Sequence, residues 1–189
     1  LAFRNEALMD HLKFNAAHIK ASNEWYRFLS YGMVHADYLH LGVNMYVLYA
    51  FGKWVVYDFN WMFDQLANLM FVVLYFTALA VSVVPSYFKN KNNLFYNAVG
   101  ASGAISAVVY VSIILNPLSS ISFIFIPISL PAWIWGALYL IYSMIMSKKG
   151  NTLIGHSAHF WGAVYGLLFI LVTKPQVYIL FFDKLTKVN

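Results

Sequence analysis

Long apolar runs, interrupted only by short polar connectors, govern what this chain can fold into. From Leu66 to Val84 it carries no Asp, Glu, Lys or Arg, and runs of the same character recur up to residue 173. A helix needs about 20 mostly apolar residues to cross the hydrocarbon core of a bilayer. Only 10% of the 189 residues are charged while 61% are hydrophobic. A single soluble domain of this length cannot bury that much apolar surface. The 14 Tyr and 6 Trp suit the membrane–water boundary, where an apolar ring and a polar tip are both satisfied. The runs are continuous rather than alternating, which argues against a membrane β-barrel. The expectation is an all-α, polytopic transmembrane helix bundle in one domain.

Five spans are expected, near Tyr38–Tyr57, Leu66–Val84, Ala98–Leu115, Ile121–Met146 and Gly155–Thr173. The second should stop at Pro85 and the third at Asn116-Pro117, with "KNKNN" and "SKKGN" as polar turns. Pro127 and Pro131 fall early in the fourth, where neighbouring groups can satisfy the freed carbonyls. Residues 1–34 are too mixed to span. The apolar spacing of Leu8, Leu12 and Phe14 suits a short helix on the protein or in the interface. The tail after Thr173 has one short apolar run and is expected at the interface. The net charge of +5 is spread over connectors with no basic stripe, which speaks against nucleic-acid binding. With no cysteine, disulfides, thiol chemistry and Cys-ligated metals are excluded.

Polar side chains inside spans cost several kcal/mol unless they are paired or hydrated, so they are candidates for function. His40 and Asn44 are four apart and share a helix face, with His35 just before them; polar contact between helices is the alternative role. Ser102 sits in "GASG" at the start of an apolar run. The first four N–H groups of a helix starting there lack intrahelical partners and can stabilise a developing negative oxygen. The alternative is packing, with Gly103 and Ala107 as a small-residue pair that lets helices touch. In "GHSAHFWGAVYG", His159, Gly162 and Gly166 lie on one face. If that face meets Gly103 and Ala107, His159 arrives beside Ser102 as a base that can take the serine proton. His156, one turn earlier, is expected as a rim or hydrogen-bonding residue. His40, Asn44 and the Ser102 N–H can donate to an oxyanion. No acid suited to a triad is evident, since Asp10, Asp37, Asp58, Asp64 and Asp183 all lie away from the middle of a span. A Ser–His dyad is the economical expectation.

Together these residues resemble the rhomboid family of intramembrane serine proteases, bacterial type. His35, His40 and Asn44 match H-x4-H-x3-N, residues 100–103 match G-x-S-G, and Ala158, His159, Gly162 and Gly166 match A-H-x2-G-x3-G. The resemblance runs from about Glu24 to Thr173. It implies Ser102 as nucleophile, His159 as general base, and His40, Asn44 and the Ser102 N–H as oxyanion hole. It implies supporting roles for Gly100, Gly103, Gly162 and Gly166, and a structural hydrogen-bonding role for His35. Arg27 takes the arginine of the family's W-R motif, with Tyr26 in the tryptophan position and Trp25 one place early. The implied layout is a first-loop region at 1–34, a protease core at 35–175 and a tail at 176–189. The family core has six spans, so a first span is expected upstream of Leu1.

The implied activity is endopeptidase cleavage of transmembrane segments through an acyl-enzyme, with no cofactor or metal and with membrane proteins and the bilayer as partners. The implied location is a bacterial inner membrane, with the active site on the extracytoplasmic side. The charge count points the other way. Arg4, Lys13, Lys20, Arg27, Lys89, Lys91, Lys148 and Lys149 share one side, against Lys53, Lys174, Lys184 and Lys187 on the other; the positive-inside rule would put the first set in the cytoplasm. The family orientation is preferred, because an upstream segment can dominate insertion. Two rivals remain: a catalytically inactive rhomboid-like protein that binds membrane helices, and a metal- or haem-binding protein using His35, His40, His156 and His159.

Overall fold

The structure, a computed structural model, describes residues 5–123, 126–149 and 155–187. Arg4 and the Gly150-Asn151 end of "SKKGN" lie outside the described residues. The chain opens with α1 (Glu6–Leu12) and α2 (Ala16–Ser22). Each is started by an asparagine whose side chain accepts an orphan backbone N–H, Asn5 from Leu8 at 3.0 Å and Asn15 from His18 at 2.9 Å. Asn23, in the left-handed conformation with φ 57°, ends α2. The one-turn helix α3 (Arg27–Ser30) then leads to α4 (Tyr38–Phe63), which Asp37 caps by accepting from His40 N at 2.7 Å.

After α4 come α5 (Ala67–Ser82) and α6 (Val84–Asn90), then α7 (Ser102–Leu115), a hairpin of β1 (Ser120–Phe123) and β2 (Ile126–Pro131), α8 (Ala132–Lys149), α9 (His156–Thr173) and α10 (Gln176–Thr186). α7 is the centre of the bundle, with α4, α5 and α9 packed around it. Its Ala104, Ala107, Val108 and Val111 bury against Val55 and Phe59 of α4, Leu74 and Ala78 of α5 and Ile170 of α9. Large apolar side chains also face outward, among them Tyr49, Trp61, Phe76, Val172 and Ile179. Exposed apolar surface spread over several helices fits a lipid environment rather than water.

Helices stand at all five expected places, but their character differs from the expectation. Among the described residues, only Tyr38–Asn90 and His156–Thr173 are long and apolar enough to cross a membrane by length and composition, with Ser102–Leu115 a shorter apolar helix. At 14 residues, α7 is about 21 Å long, short of the roughly 30 Å hydrocarbon core. The fourth run is not one helix. Ser120–Phe123 and Ile126–Pro131 pair as antiparallel strands, Ser120 opposite Pro131 and Ile121 opposite Leu130, and the helix starts only at Ala132. The cause is legible in "SISFIFIPISLP": β-branched and aromatic residues favour a strand, and Pro127 and Pro131 disfavour a helix interior. Trp135 Nε1 donates to Ile121 O at 3.0 Å and ties the hairpin to α8.

Pro85 does not end the second run either. The helix breaks at Val83, and Pro85 sits at the start of α6, where its missing N–H costs nothing. Residues 98–101 lie outside α7. Ala98 is instead bridged to Phe14 by a reciprocal backbone pair at 2.9 and 3.0 Å. The tail forms α10, whose Lys184 Nζ donates to Leu115 O at 2.8 Å.

The α7–α9 contact is backbone on backbone. A Cβ added to Gly162 would overlap the Gly103 carbonyl, and one added to Gly166 would overlap the Ala107 carbonyl. Gly162→Ala is therefore expected to cost about 1–3 kcal/mol through overpacking. Thermal unfolding in detergent micelles should show a lower midpoint than the parent chain.

Candidate functional site

Three helix starts meet at one end of the bundle. Ser102 is the first residue of α7, two residues after Gly100, whose φ of +99° turns the chain sharply toward the helix. That turn is held from outside: Gly100 N donates to Tyr31 O at 2.9 Å, and the Phe14–Ala98 bridge lies just before it. Asn15 Nδ2 donates to Leu94 O at 2.9 Å and to the Asn97 side chain at 3.0 Å. The N-terminal segment is in turn braced by Arg27, which is buried. Its Nη1 donates to Asp10 O at 2.7 Å and Lys13 O at 2.8 Å, and its Nε pairs with Glu24 at 2.5 Å. Trp25 stacks on Phe28 and Tyr26 contacts His11, so both aromatic positions beside Arg27 are used in packing this segment.

His159, in the first turns of α9, has its Nε2 2.7 Å from Ser102 Oγ. The glycine contact between α7 and α9 sets that distance, because it lets the helix axes approach without an intervening side chain. His159 Nδ1 lies 2.9 Å from Tyr139 Oη of α8. His156 is buried with its Nδ1 unpartnered, its ring 6.1 Å from that of His159; it is a packed residue rather than a rim one.

His40 and Asn44 come from the first turns of α4. A Cβ built on Gly100 would lie 2.8 Å from His40 Nε2 and 3.5 Å from Asn44 Nδ2. His40 therefore packs directly against the Gly100 backbone, and two polar nitrogens lie beside the chain entry to α7. Asn44 Nδ2 is buried and has no hydrogen-bond partner, an arrangement that costs free energy unless a partner accepts from it. His40 Nδ1 lies 3.5 Å from Ala36 N–H, a long contact that favours the proton on Nε2, the nitrogen nearer Gly100.

His35 departs from its expected role. Its Nε2 is buried without a partner, and its ring stands edge-on to His40 with centroids 5.1 Å apart. Burial, with the His40 ring beside it, holds the His35 imidazole below its ordinary pKa, so it packs as a neutral ring. Among the described residues no three His, Cys, Asp or Glu side chains form a group that could hold a metal ion, so the four histidines are not one ligand set.

From Ser102 and His159 a cleft of about 550 Å³ runs between α4 and α8, with α7 as its back wall. Val43, Val47, Phe51, Ile105, Val109 and Leu138 make its sides almost wholly apolar, and Ile121 and Trp135 lie along it. Tyr139, Ser106 and the hairpin residue Ile121 are site residues that sequence motifs did not flag. Of these only Ser106 carries a sequence signal, as a polar residue one helical turn after Ser102 in the same apolar run.

A model of the Rhomboid domain matches residues 22–176. The chain is 28% identical over 142 residues to the mitochondrial presenilin-associated rhomboid-like protein of Mus musculus, an alignment covering 72% of this chain and 35% of that protein. The Homo sapiens protein of the same name is 27% identical over 142 residues, with the same coverage. The mitochondrial presenilin-associated rhomboid-like protein A of Danio rerio is 29% identical over 140 residues, covering 72% of this chain and 34% of that protein. The chain thus spans about a third of the length of the curated relatives it matches. No solved structure matches it.

Gly100→Ala would both strain a positive-φ position and push into His40. It is expected to cost about 1–3 kcal/mol, lowering the unfolding midpoint. Gly42→Ala on α4, with nothing within 4 Å of the added carbon, should instead leave the midpoint unchanged or raise it, because alanine is the better helix former.

Proposed function

The chain belongs to the rhomboid family, and we propose that it works as an intramembrane serine endopeptidase that cuts within or next to the transmembrane segments of membrane proteins. The observation that carries this is the 2.7 Å approach of His159 Nε2 to Ser102 Oγ, with His40 and Asn44 nitrogens close to Gly100 just before that serine. In the proposed reaction Ser102 Oγ attacks the scissile carbonyl carbon while its proton passes to His159 Nε2. The carbonyl oxygen becomes an oxyanion beside Ser102, where it accepts hydrogen bonds from His40 Nε2, Asn44 Nδ2 and the Ser102 N–H at the positive end of α7. His159 then gives the proton to the departing amine, the C–N bond breaks, and an acyl-enzyme remains. Water, deprotonated by His159, attacks the ester and frees the second product with Ser102 restored.

The apolar cleft suits a substrate segment drawn from a lipid environment. A helix hides its own carbonyls, so the segment must unwind to present one, and helix-weakening residues near the cut should favour cleavage. Residues 35–175 form the proposed protease core, 1–34 the brace around the Ser102 turn, and 176–189 a tail at the interface. The proposed partners are the bilayer and membrane-protein substrates, with five membrane crossings by α4, α5, α7, α8 and α9. Family membership makes this an integral membrane protein. The relatives carry mitochondrial names, so a bacterial inner membrane and its extracytoplasmic face gain no support from them. The proposal is confined to a site that opens at the membrane face bearing Lys89, Lys91, Lys148 and Lys149.

The competing role is an inactive rhomboid-like protein that holds membrane helices. Labelling with a serine-reactive fluorophosphonate separates the two. The parent chain should be labelled, and Ser102→Ala and His159→Ala should each abolish labelling. Asn44→Ala should slow it by about 100- to 1000-fold, as loss of an oxyanion donor does. Labelling that persists in Ser102→Ala would overturn the assignment of the nucleophile.

A further inference from the structure

The proposed reaction uses Nε2 of His159 and leaves its other nitrogen without a task. A neutral imidazole carries one ring proton. For Nε2 to accept from Ser102, that proton must sit on Nδ1. Serine hydrolases commonly fix this tautomer with a carboxylate. Among the described residues no Asp or Glu acts on the His159 ring; the groups that do are His156, His40 and Tyr139.

We propose that Tyr139 and Ser143 of α8 form a neutral hydrogen-bond relay that holds His159 in the tautomer with Nε2 free to take the Ser102 proton. The catalytic consequence rests on the serine-protease reading above; the relay itself does not. Tyr139 Oη is 2.9 Å from Nδ1. The two rings are tilted by 30° with centroids 6.3 Å apart, so the hydroxyl rather than the ring face makes the contact. If the phenol donated to Nδ1, the ring proton would sit on Nε2, and the serine proton would have no acceptor. The productive direction is therefore Nδ1–H donating to Oη, which requires the phenol proton to go elsewhere.

A second observation supplies its destination. The hydroxyls of Ser106 and Ser143 interact with the Tyr139 phenol. Ser143 is fully buried, and its Oγ makes no hydrogen bond. A buried hydroxyl left unpaired is unfavourable, and a phenol O–H turned toward it satisfies both groups. Tyr139 and Ser143 are four residues apart and so share one face of α8. The chain of bonds is then Ser102 O–H to His159 Nε2, His159 Nδ1–H to Tyr139 Oη, and Tyr139 O–H to Ser143 Oγ. An acceptor that is itself donating is a better acceptor. The same chain would therefore steady the imidazolium formed when His159 takes the serine proton. Tyr139 and Ser143 are positioning residues: neither touches the reacting atoms.

The test reads the tautomer directly. The full chain, with ¹⁵N-labelled histidine and in detergent micelles, is compared with Tyr139→Phe, which keeps the ring and removes the hydroxyl. His159 is assigned by difference from His159→Asn. The parent chain should show His159 protonated at Nδ1, and Tyr139→Phe should show both tautomers. The fluorophosphonate labelling rate should fall about tenfold, the value of one neutral hydrogen bond. Ser143→Ala should move the nitrogen shifts in the same direction by a smaller amount. Unchanged His159 shifts in Tyr139→Phe would overturn the relay. Should Tyr139→Phe fail to fold, Ser143→Ala decides: a shift toward the mixed tautomers supports the relay and unchanged shifts overturn it. A parent chain that shows the Nδ1–H tautomer but takes no label would overturn the protease reading and leave the relay standing.

Discussion

The close approach of α7 and α9 is the constraint on which the site depends. Gly162 lies against the Gly103 carbonyl and Gly166 against the Ala107 carbonyl, with no room for a Cβ at either glycine. Dispersion contacts between backbones replace the side-chain interdigitation usual between helices, as suits a setting where lipid offers no hydrophobic drive to helix association. His159 lies three residues before Gly162 on the same face, so the approach that packs the helices also delivers the imidazole to Ser102. Packing and placement of the Ser–His pair are one interaction here.

That pair would be of little use without a fixed chain entry into α7. Gly100 at φ +99° sets the direction of the turn, and the N-terminal segment holds it through the Phe14–Ala98 bridge and the Tyr31–Gly100 bond. Arg27 holds that segment by bonding the carbonyls of Asp10 and Lys13. Tyr31 also reaches across to Leu79 O and Ser82 Oγ on α5, and Ser82 packs against Gly103. A continuous set of contacts thus runs from a buried guanidinium through the Ser102 turn to the helix interface. The polar region outside the apolar helices functions as a brace.

Much of this was legible in the sequence, for physical reasons that differ by element. The site residues could be found because each motif obeys helical spacing: His40 with Asn44, and His159 with Gly162 and Gly166. Glycines inside an apolar helix also have few roles other than close packing. The 121–131 stretch was misread because an apolar run has no periodicity to separate a span from a buried strand; its alternating Ser and Ile and its two prolines carried the better signal. The start of α7 moved to Ser102 because a tertiary pairing with Phe14 overrode local helix preference. Tyr139 and Ser143 were not legible as site residues at all. Their significance lies in facing His159 from another helix, and a lone Tyr and Ser in an apolar run look like membrane-boundary and packing residues.

Family membership and the Ser102–His159 geometry support the proposed peptide hydrolysis, and the competing role is a chain that binds membrane helices without cutting them. The most direct measurement is cleavage in liposomes: the purified chain is reconstituted with a panel of single-span membrane proteins whose spans contain helix-weakening residues, and new termini are mapped by mass spectrometry. The account predicts cuts within or beside the spans that vanish with Ser102→Ala. Folded, reconstituted protein that leaves every member of the panel intact, or cuts that persist in Ser102→Ala, would contradict it.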